Sequence, residues 1–415
     1  MRNASKRWYG HDHEWGAERS GRSRRAENST DVSNTDVAVW DLASLTQHQL
    51  EAWRRLADRS ASPNAFLRPE FAVPAATHLP TDSTNGAVRL LTVSRGDGLL
   101  CALPLVRGRW RHVPLPAVGA WVHDQQGLAT PLLAGGDDLP AAASCLVAAV
   151  SRVAPRARLL GMDEQTTGLP GDLALEQALG NAGWTPTEWS SYQRALLVRE
   201  GDRVVGHGAA GPIDLRDLLA EPSRLRTKRR RLEREAGPLQ VIDASAPADA
   251  PEAGEALLRL EDAGWKGRAG TSMLQRRGEA DMLRDVVRLA AGAGSLRLLV
   301  LAGRDGPLAT QLDLVCGDTQ FHWKTTYDER WQRMSPGRLL LTHVLERFAA
   351  SDLSRLDGCT VEGHPVLDPL FPGRRVVTSR AWTRGSGSSQ IVAAAQWLRT
   401  RVRQRGHHQP TDDLG

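Results

Sequence analysis

One hairpin occurs twice in this chain. Val88-Arg89-Leu90-Leu91-Thr92-Val93-Ser94-Arg95-Gly96-Asp97-Gly98-Leu99-Leu100 aligns with Leu296-Arg297-Leu298-Leu299-Val300-Leu301-Ala302-Gly303-Arg304-Asp305-Gly306-Pro307-Leu308 at a constant offset of 208 (296 minus 88). The identical positions include the Asp-Gly turn, which between two apolar runs is a strong hairpin signal. Downstream, Arg158-Leu159-Leu160-Gly161 follows an apolar helix over 139–153, much as Arg355-Leu356-Asp357-Gly358 follows a helix opened by Pro336. A hairpin, a helix and a strand recurring in the same order argue for duplication of one supersecondary unit. The expected fold class is therefore α/β (α+β), as tandem repeats, each a mixed antiparallel-rich sheet flanked by helices.

The chain divides accordingly. Residues 1–36 mix charged and small polar side chains without apolar periodicity and are expected to be a disordered tail. Residues 37–212 hold the first copy, 213–254 a basic helix and an Ala/Pro-rich connector, 255–390 the second copy, and 391–415 a terminal helix with a polar tail. At 415 residues the chain is long enough for two cores, and 41% hydrophobic with 24% charged residues is a globular balance. No apolar run reaches the roughly 20 residues of a membrane span, and the polar start lacks a signal-peptide core, so no membrane span and a cytoplasmic location are expected. The cysteines at 101, 145, 316 and 359 are scattered without ligand spacing. His11 and His13 stand without partners, so no metal is expected.

The copies differ where chemistry would sit. In the second, Arg333-Met334-Ser335-Pro336-Gly337-Arg338 leads into Leu339-Leu340-Leu341, with Ser335 as expected N-cap and Pro336 as first helical residue. The free amides of a first helical turn, the positive end of the helix dipole and two flanking arginines suit a diphosphate. The donor-binding set is thus Arg333, Ser335, Gly337, Arg338 and Leu339. The first copy has Gly135-Gly136-Asp137-Asp138-Leu139-Pro140 instead, and two carboxylates there would repel an anion. The first copy is read as structural or acceptor-binding.

Net charge is +5, and the segment from Arg224 to Arg234 alone carries seven basic residues and one acidic. It reads as a solvated helix face, a nucleic-acid contact, or a grip on an anionic substrate or coenzyme phosphate. No aromatic is interleaved for base stacking, so DNA is not the expected partner. Only four of the 53 basic residues are lysines, which makes each lysine more informative than any arginine.

Two further stretches carry candidates. Gly264-Trp265-Lys266-Gly267-Arg268-Ala269-Gly270-Thr271 reads either as a flexible loop with a half-buried Trp or as a substrate-binding loop. In the second reading Glu261, one turn before Trp265, faces the same space, and Glu261, Trp265, Lys266 and Lys324 form the substrate-binding set. On the strand from Thr319 to Asp328, simple alternation puts His322, Lys324, Thr326 and Asp328 on one face. Phe321, Trp323, Thr325 and Tyr327 take the other. The candidates for acid–base work on this strand are His322, Asp328 and Tyr327; under the thioester-to-amine transfer that the resemblance below implies, His322 accepts the amine proton, Asp328 orients an ammonium and Tyr327 donates to the leaving sulfur.

The run Tyr327-Asp328 followed by Ser335-Pro336-Gly337-Arg338-Leu339-Leu340, with Gly264-Trp265-Lys266-Gly267, resembles the GNAT (GCN5-related N-acetyltransferase) superfamily. Within it the resemblance is to CelD-like and BioF2-like acetyltransferase domains, relatives of the FemABX aminoacyltransferases. It implies an acyl-coenzyme-A-dependent N-acyltransferase, with acetyl-CoA or another acyl-CoA as co-substrate. The implied acceptor is an amine of a small molecule or of a cell-envelope or exopolysaccharide precursor. Relatives also carry a basic helix ahead of the second domain. Many have a lysine motif near 361–375, where this chain has none. The rival readings are a FemABX-like transferase using aminoacyl-tRNA, in which the basic helix grips RNA, and a non-catalytic binding or scaffold protein.

Overall fold

The computed structural model describes residues 34–79, 88–206 and 212–406. The expected N-terminal tail lies almost wholly outside these residues. The first copy runs β1 (Asp36–Asp41), α1 (Gln47–Asp58), α2 (Pro69–His78), β2 (Arg89–Arg95), β3 (Gly98–Gly108), β4 (Ala117–Ala120), β5 (Leu132–Leu133), α3 (Leu139–Val153), β6 (Leu159–Thr166), α4 (Pro170–Asn181) and β7 (Thr185–Glu200). A short link follows: β8 (Arg203–Val205), β9 (Ile213–Asp214), α5 (Leu215–Leu219) and the basic helix α6 (Ser223–Ala236). The second copy runs β10 (Gln240–Asp243), α7 (Ala250–Ala263), α8 (Trp265–Arg268), α9 (Glu279–Gly292), β11 (Leu296–Gly303), β12 (Gly306–Cys316), β13 (Thr319–Tyr327), α10 (Pro336–Ala349), β14 (Arg355–Asp357), β15 (Gly373–Thr383) and α11 (Ser386–Gly406).

Local sequence explains the boundaries. Thr46 and Gln49 form a capping box that opens α1, and its apolar stripe buries Ala52, Trp53, Leu56 and Ala57. Pro69 and Pro336 stand first in α2 and α10, where a missing amide proton costs nothing. In each copy the hairpin closes the same way: Arg95 faces Gly98 and Gly303 faces Gly306. A bulge follows Val93 in one and Leu301 in the other. The offset of 208 thus holds for the turn (303 minus 95) and for the bulge (301 minus 93).

All strands join one sheet, whose path is β1-β2-β3-β4-β6-β15-β7-β14-β13-β12-β11-β10. Its centre shows an exchange: β15, last in the second copy, pairs with β6 of the first, and β7, last in the first, pairs with β14 of the second. The two exchanged strands then run antiparallel beside each other from Thr185/Thr383 to Leu196/Gly373. Fully buried there, Asp357 on β14 lies 2.7 Å from Arg194 Nε on β7 and 2.7 Å from Arg375 Nη1 on β15. Three strands from two copies are bolted by one carboxylate between two guanidinium groups.

Each copy has one parallel pairing, and each is short: β4 with β6 over three residues, β13 with β14 over three. Beyond them the pairing stops, and β6 and β13 run on without those partners. In the first copy its own chain fills the opening. Trp110 is fully buried and lies so close to Gly161 that a Cβ there would meet the indole at 2.2 Å. Trp110 Nε1 and Arg111 both donate to Asp163, and the amides of Ala129 and Thr166 tie residues 128–130 to β6. At the start of α3, Asp138 is paired with Arg95 and faces Arg59 at 3.7 Å. The first copy therefore offers an anion neither space nor positive charge.

Candidate active site

In the second copy the corresponding opening is bordered by the start of α10. No acidic residue stands in its first turn. The amides of Arg338 and Leu339 turn back to the Ser335 carbonyl at 3.0 and 3.1 Å, and Pro336 has no amide proton. Of the expected cradle, the Gly337 amide alone has no partner among the described residues. A Cβ on Gly337 would lie 3.4 Å from the Tyr327 ring and 3.8 Å from Thr325, so this turn sits directly against the exposed end of β13.

Ser335 occupies the cap position but does not cap. It sits in the left-handed region (φ 55°), and its hydroxyl accepts from Lys228 Nζ at 2.8 Å. The expected side-chain cap is thus replaced by a contact to the basic helix. On α6, Arg229 and Arg231 pair with Glu233 and Glu235 of the same helix, and Arg229 also with Glu221 just before it. Lys228 has no acidic partner among the described residues, and neither do Arg333 and Arg338. Positive charge therefore gathers where helix dipole and open amide already favour an anion. The sequence singled out the basic run but did not say which of its members turns inward.

The faces of β13 differ from simple alternation. Asp313 pairs with His322 and Leu312 with Lys324, so Trp323 is an extra residue with no cross-strand mate. Beyond this bulge the parity inverts. His322 comes to share a face with Thr325 and Tyr327, under α10, whereas Lys324 passes to the opposite face beneath α7 and α8. The grouping of His322 with Lys324 and Asp328 is thereby corrected. Asp328 is moreover committed: it caps the 3-10 turn over Glu329–Met334 and forks onto Arg330.

His322 is buried, with Nε2 3.2 Å from Thr325 Oγ1 and Nδ1 3.1 Å from Asp313 Oδ1. Gln311 fixes the protons. Its amide nitrogen points at Asp313 Oδ1 and the Leu312 carbonyl, both acceptors, so its oxygen faces Thr325 and must accept the Thr325 hydroxyl proton. Thr325 then has only lone pairs for His322, and Nε2 must be the donor. The expected proton acceptor is therefore a proton donor at this atom. Asp313, Gln311 and Thr325 were not singled out in the sequence, although polar residues at alternate positions of an apolar strand were its visible trace.

On the opposite face Glu261 is buried and held by Lys266 Nζ at 2.5 Å and by the Met273 amide at 2.8 Å. Burial alone would raise its carboxyl; the hydrogen bond and charge of Lys266, with Lys324 nearby, hold it below its usual value. Lys324 is half-buried by surface, but its ammonium is enclosed, bonded to Gln125 Oε1 at 2.5 Å. Burial and the Lys266 charge push it down to about 8. Gln125 belongs to the first copy and also accepts from Trp323 Nε1 at 2.9 Å, so both copies build this wall. Trp265 is 61% exposed on the short helix α8, which replaces the expected loop. Among the described residues no group of three or more His, Cys, Asp or Glu forms a metal site. No helix among them is long and apolar enough to cross a membrane.

Comparison with known families matches residues 222–362 to the acetyltransferase (GNAT) domain. This chain carries a GNAT domain. The enzyme class that goes with a GNAT domain is N-acyltransferase. The match opens at α6 and closes just after β14, so it contains the whole α10 site. Among solved structures, FemX is similar with a TM-score of 0.53 at 9% identity, over 83% of this chain and 98% of that one. The C-terminal domain of an Agrobacterium fabrum protein assigned as a lysylphosphatidylglycerol synthetase gives 0.50 at 13%, over 84% and 95%. Both likenesses are of fold, and both extend over the two copies rather than the GNAT domain alone. No curated protein sequence matches the chain.

Proposed function

We propose that the protein is an acyl-coenzyme-A-dependent N-acyltransferase whose donor site is the start of α10. The acceptor is an amine of a small molecule or of an envelope or polysaccharide precursor. The observation that carries this reading is the contrast between the two helix starts. α10 presents an open Gly337 amide with Lys228, Arg333 and Arg338 around it, beside the stretch of β13 that runs on without β14, whereas α3 presents a paired Asp138 beside an opening filled by Trp110. The residues present fit the coenzyme: its diphosphate needs amide and cationic donors, and its pantetheine arm an unpaired strand edge, which β13 has beyond Phe321.

In this reading the acceptor approaches from the α7/α8 side, against Glu261, Lys266, Lys324 and Trp265. Transfer forms a C–N bond as the C–S bond breaks. The amine must be neutral to attack, the carbonyl oxygen needs donors as it becomes tetrahedral, and the sulfur needs a proton as it leaves. Lys324, pushed down to about 8 by burial and the Lys266 charge, has a neutral fraction that can take the amine's proton and that grows as pH rises toward 8. Tyr327 stands beside Gly337 on the donor side.

The second reading, a FemABX-like transfer from aminoacyl-tRNA, is favoured by the FemX-like fold and by the outward arginines of α6. Calorimetric titration with acetyl-CoA, alongside filter retention of charged tRNA, separates them. Saturable coenzyme binding without tRNA retention supports the proposal; tRNA retention without coenzyme binding replaces it.

A further inference from the structure

Under α10, β12 and β13 carry buried polar side chains in one line. Asp313 is 1% exposed and receives the side-chain amides of Gln311 and Gln320. His322 Nδ1 lies 3.1 Å from its Oδ1, off the axis of an ideal hydrogen bond, as is common in unliganded active sites. Nε2, already shown to be a donor, lies 3.2 Å from Thr325 Oγ1. With Nε2 protonated, a bare Nδ1 would set a lone pair against a buried carboxylate, whereas a second proton turns that repulsion into an ion pair. Thr325 is exposed and stands at the mouth of the opening beside Gly337. Asp313, Gln311 and Gln320 line a cavity of about 280 Å³ whose wall also holds Arg297 and Arg347. The line thus runs from the donor cleft through Thr325 and His322 to Asp313, and behind Asp313 lies room for several waters.

We propose that the Asp313–His322 ion pair is a proton store that protonates the leaving thiolate through the Thr325 hydroxyl. As the C–S bond breaks, the Thr325 hydroxyl turns from Gln311 Oε1 to the sulfur and gives it its proton, while Thr325 Oγ1 takes the proton of His322 Nε2. His322 is left neutral and regains a proton from water in the cavity, and the amine's surplus proton passes to Lys324 and from there to solvent. Thr325 is the group that meets the sulfur; His322 and Asp313 act through it as positioning residues. The bulge at Trp323 assembles the line, because without it Thr325 and His322, three residues apart, would point to opposite faces. Asp313 is the carboxylate facing His322, and Thr325 is its neutral partner. His364 also stands near, and burial together with the His322 charge holds it below its usual value. Arg297 and Arg347 face the cavity, the latter paired with Asp243 at 2.7 Å.

This rests on the donor site proposed above, and two measurements keep the two apart. Nitrogen-15 NMR of the histidine rings, with His322 assigned by its loss in His322→Gln, is expected to show both ring nitrogens protonated at neutral pH and a neutral ring in Asp313→Asn. Acetyl-CoA consumption with a panel of primary amines is expected to fall about a hundredfold in kcat in Thr325→Val, with KM for acetyl-CoA unchanged and Thr325→Ser restoring most of the rate. Turnover of p-nitrophenyl acetate, whose leaving group needs no proton, should be nearly equal in wild type and Thr325→Val. A neutral His322 ring in the wild type overturns the store, and so does Thr325→Val slowing both donors alike or neither. A charged ring in a protein that binds no acetyl-CoA overturns the donor site and the catalytic role together, leaving the ion pair to fix strand register.

Discussion

The Lys228 ammonium donates to the Ser335 hydroxyl at 2.8 Å, so one residue of the basic helix forms a single surface with the turn that opens α10. A run of seven cations in the sequence resolves into different employments: Arg229 and Arg231 neutralised by glutamates, Lys228 turned toward the anion site. Lys228→Glu is expected to weaken acetyl-CoA binding by ten- to a hundredfold, since a hydrogen bond to a charged group is worth ~1.5–3 kcal/mol. Arg230→Glu, exposed two positions on, should leave affinity unchanged. Calorimetry checks both, and the reverse order of effects would assign the helix to another partner.

Gly337 separates space from charge. An added methyl would rest at 3.4 Å from Tyr327, an ordinary contact, so Gly337→Ala should bind donor nearly as wild type. Its helix should gain up to ~1 kcal/mol. Gly337→Glu should lose donor binding with the melting temperature little changed. Equal binding by both variants would mean that the diphosphate is held elsewhere.

The buried Arg194–Asp357–Arg375 cluster predicts a stability effect far from the site. Asp357→Ala strands two guanidinium groups and should cost ~3–5 kcal/mol in chemical denaturation. Burial alone would raise the Asp357 carboxyl, but the two arginines hold it below its usual value. A lowered folded-state value means stability that is present above the unfolded value of ~3.9 and lost as pH falls below it. Asp357→Asn should therefore flatten the acid limb of the stability curve.

Lys324 gives the opposite sign. Its folded-state value of about 8 lies below the ordinary 10.5, so the unfolded chain holds more protons between these values and stability should rise with pH across that window. With only four lysines in the chain, carbon-13 NMR of reductively methylated protein should show, beside the α-amine, one lysine resonance titrating near 8. That resonance should be missing in Lys324→Met. Four lysine resonances all titrating near 10.5 would remove Lys324 as a candidate base.

The duplication, the hairpins and helix α10 could be read from the sequence because each rests on local chemistry: an Asp-Gly turn, alternating apolar residues, a Pro at the first helical position. What escaped was non-local. The long strand β7, with Thr, Glu, Ser and Arg at many positions, shows no clear alternation, and its place in the far half of the sheet comes from exchange with β15. Helix α2 leaves little trace in the sequence because Pro69 and Pro74, helix breakers in most settings, both stand in it. The bulge at Trp323 left no local mark, yet it decides that His322 belongs with Thr325 and not with Lys324. Gln125 escaped because the wall it completes is built from the other copy.

In the proposed donor site the start of α10 holds the diphosphate of a nucleotide thioester. Its most direct test is to titrate the protein with acetyl-CoA and, in parallel, with S-acetylpantetheine, which keeps the thioester and lacks the nucleotide. Saturable binding of acetyl-CoA is expected, with an affinity for S-acetylpantetheine weaker by about a hundredfold or more, from the loss of several charge-assisted hydrogen bonds. Equal affinities, or no binding of acetyl-CoA, would contradict it.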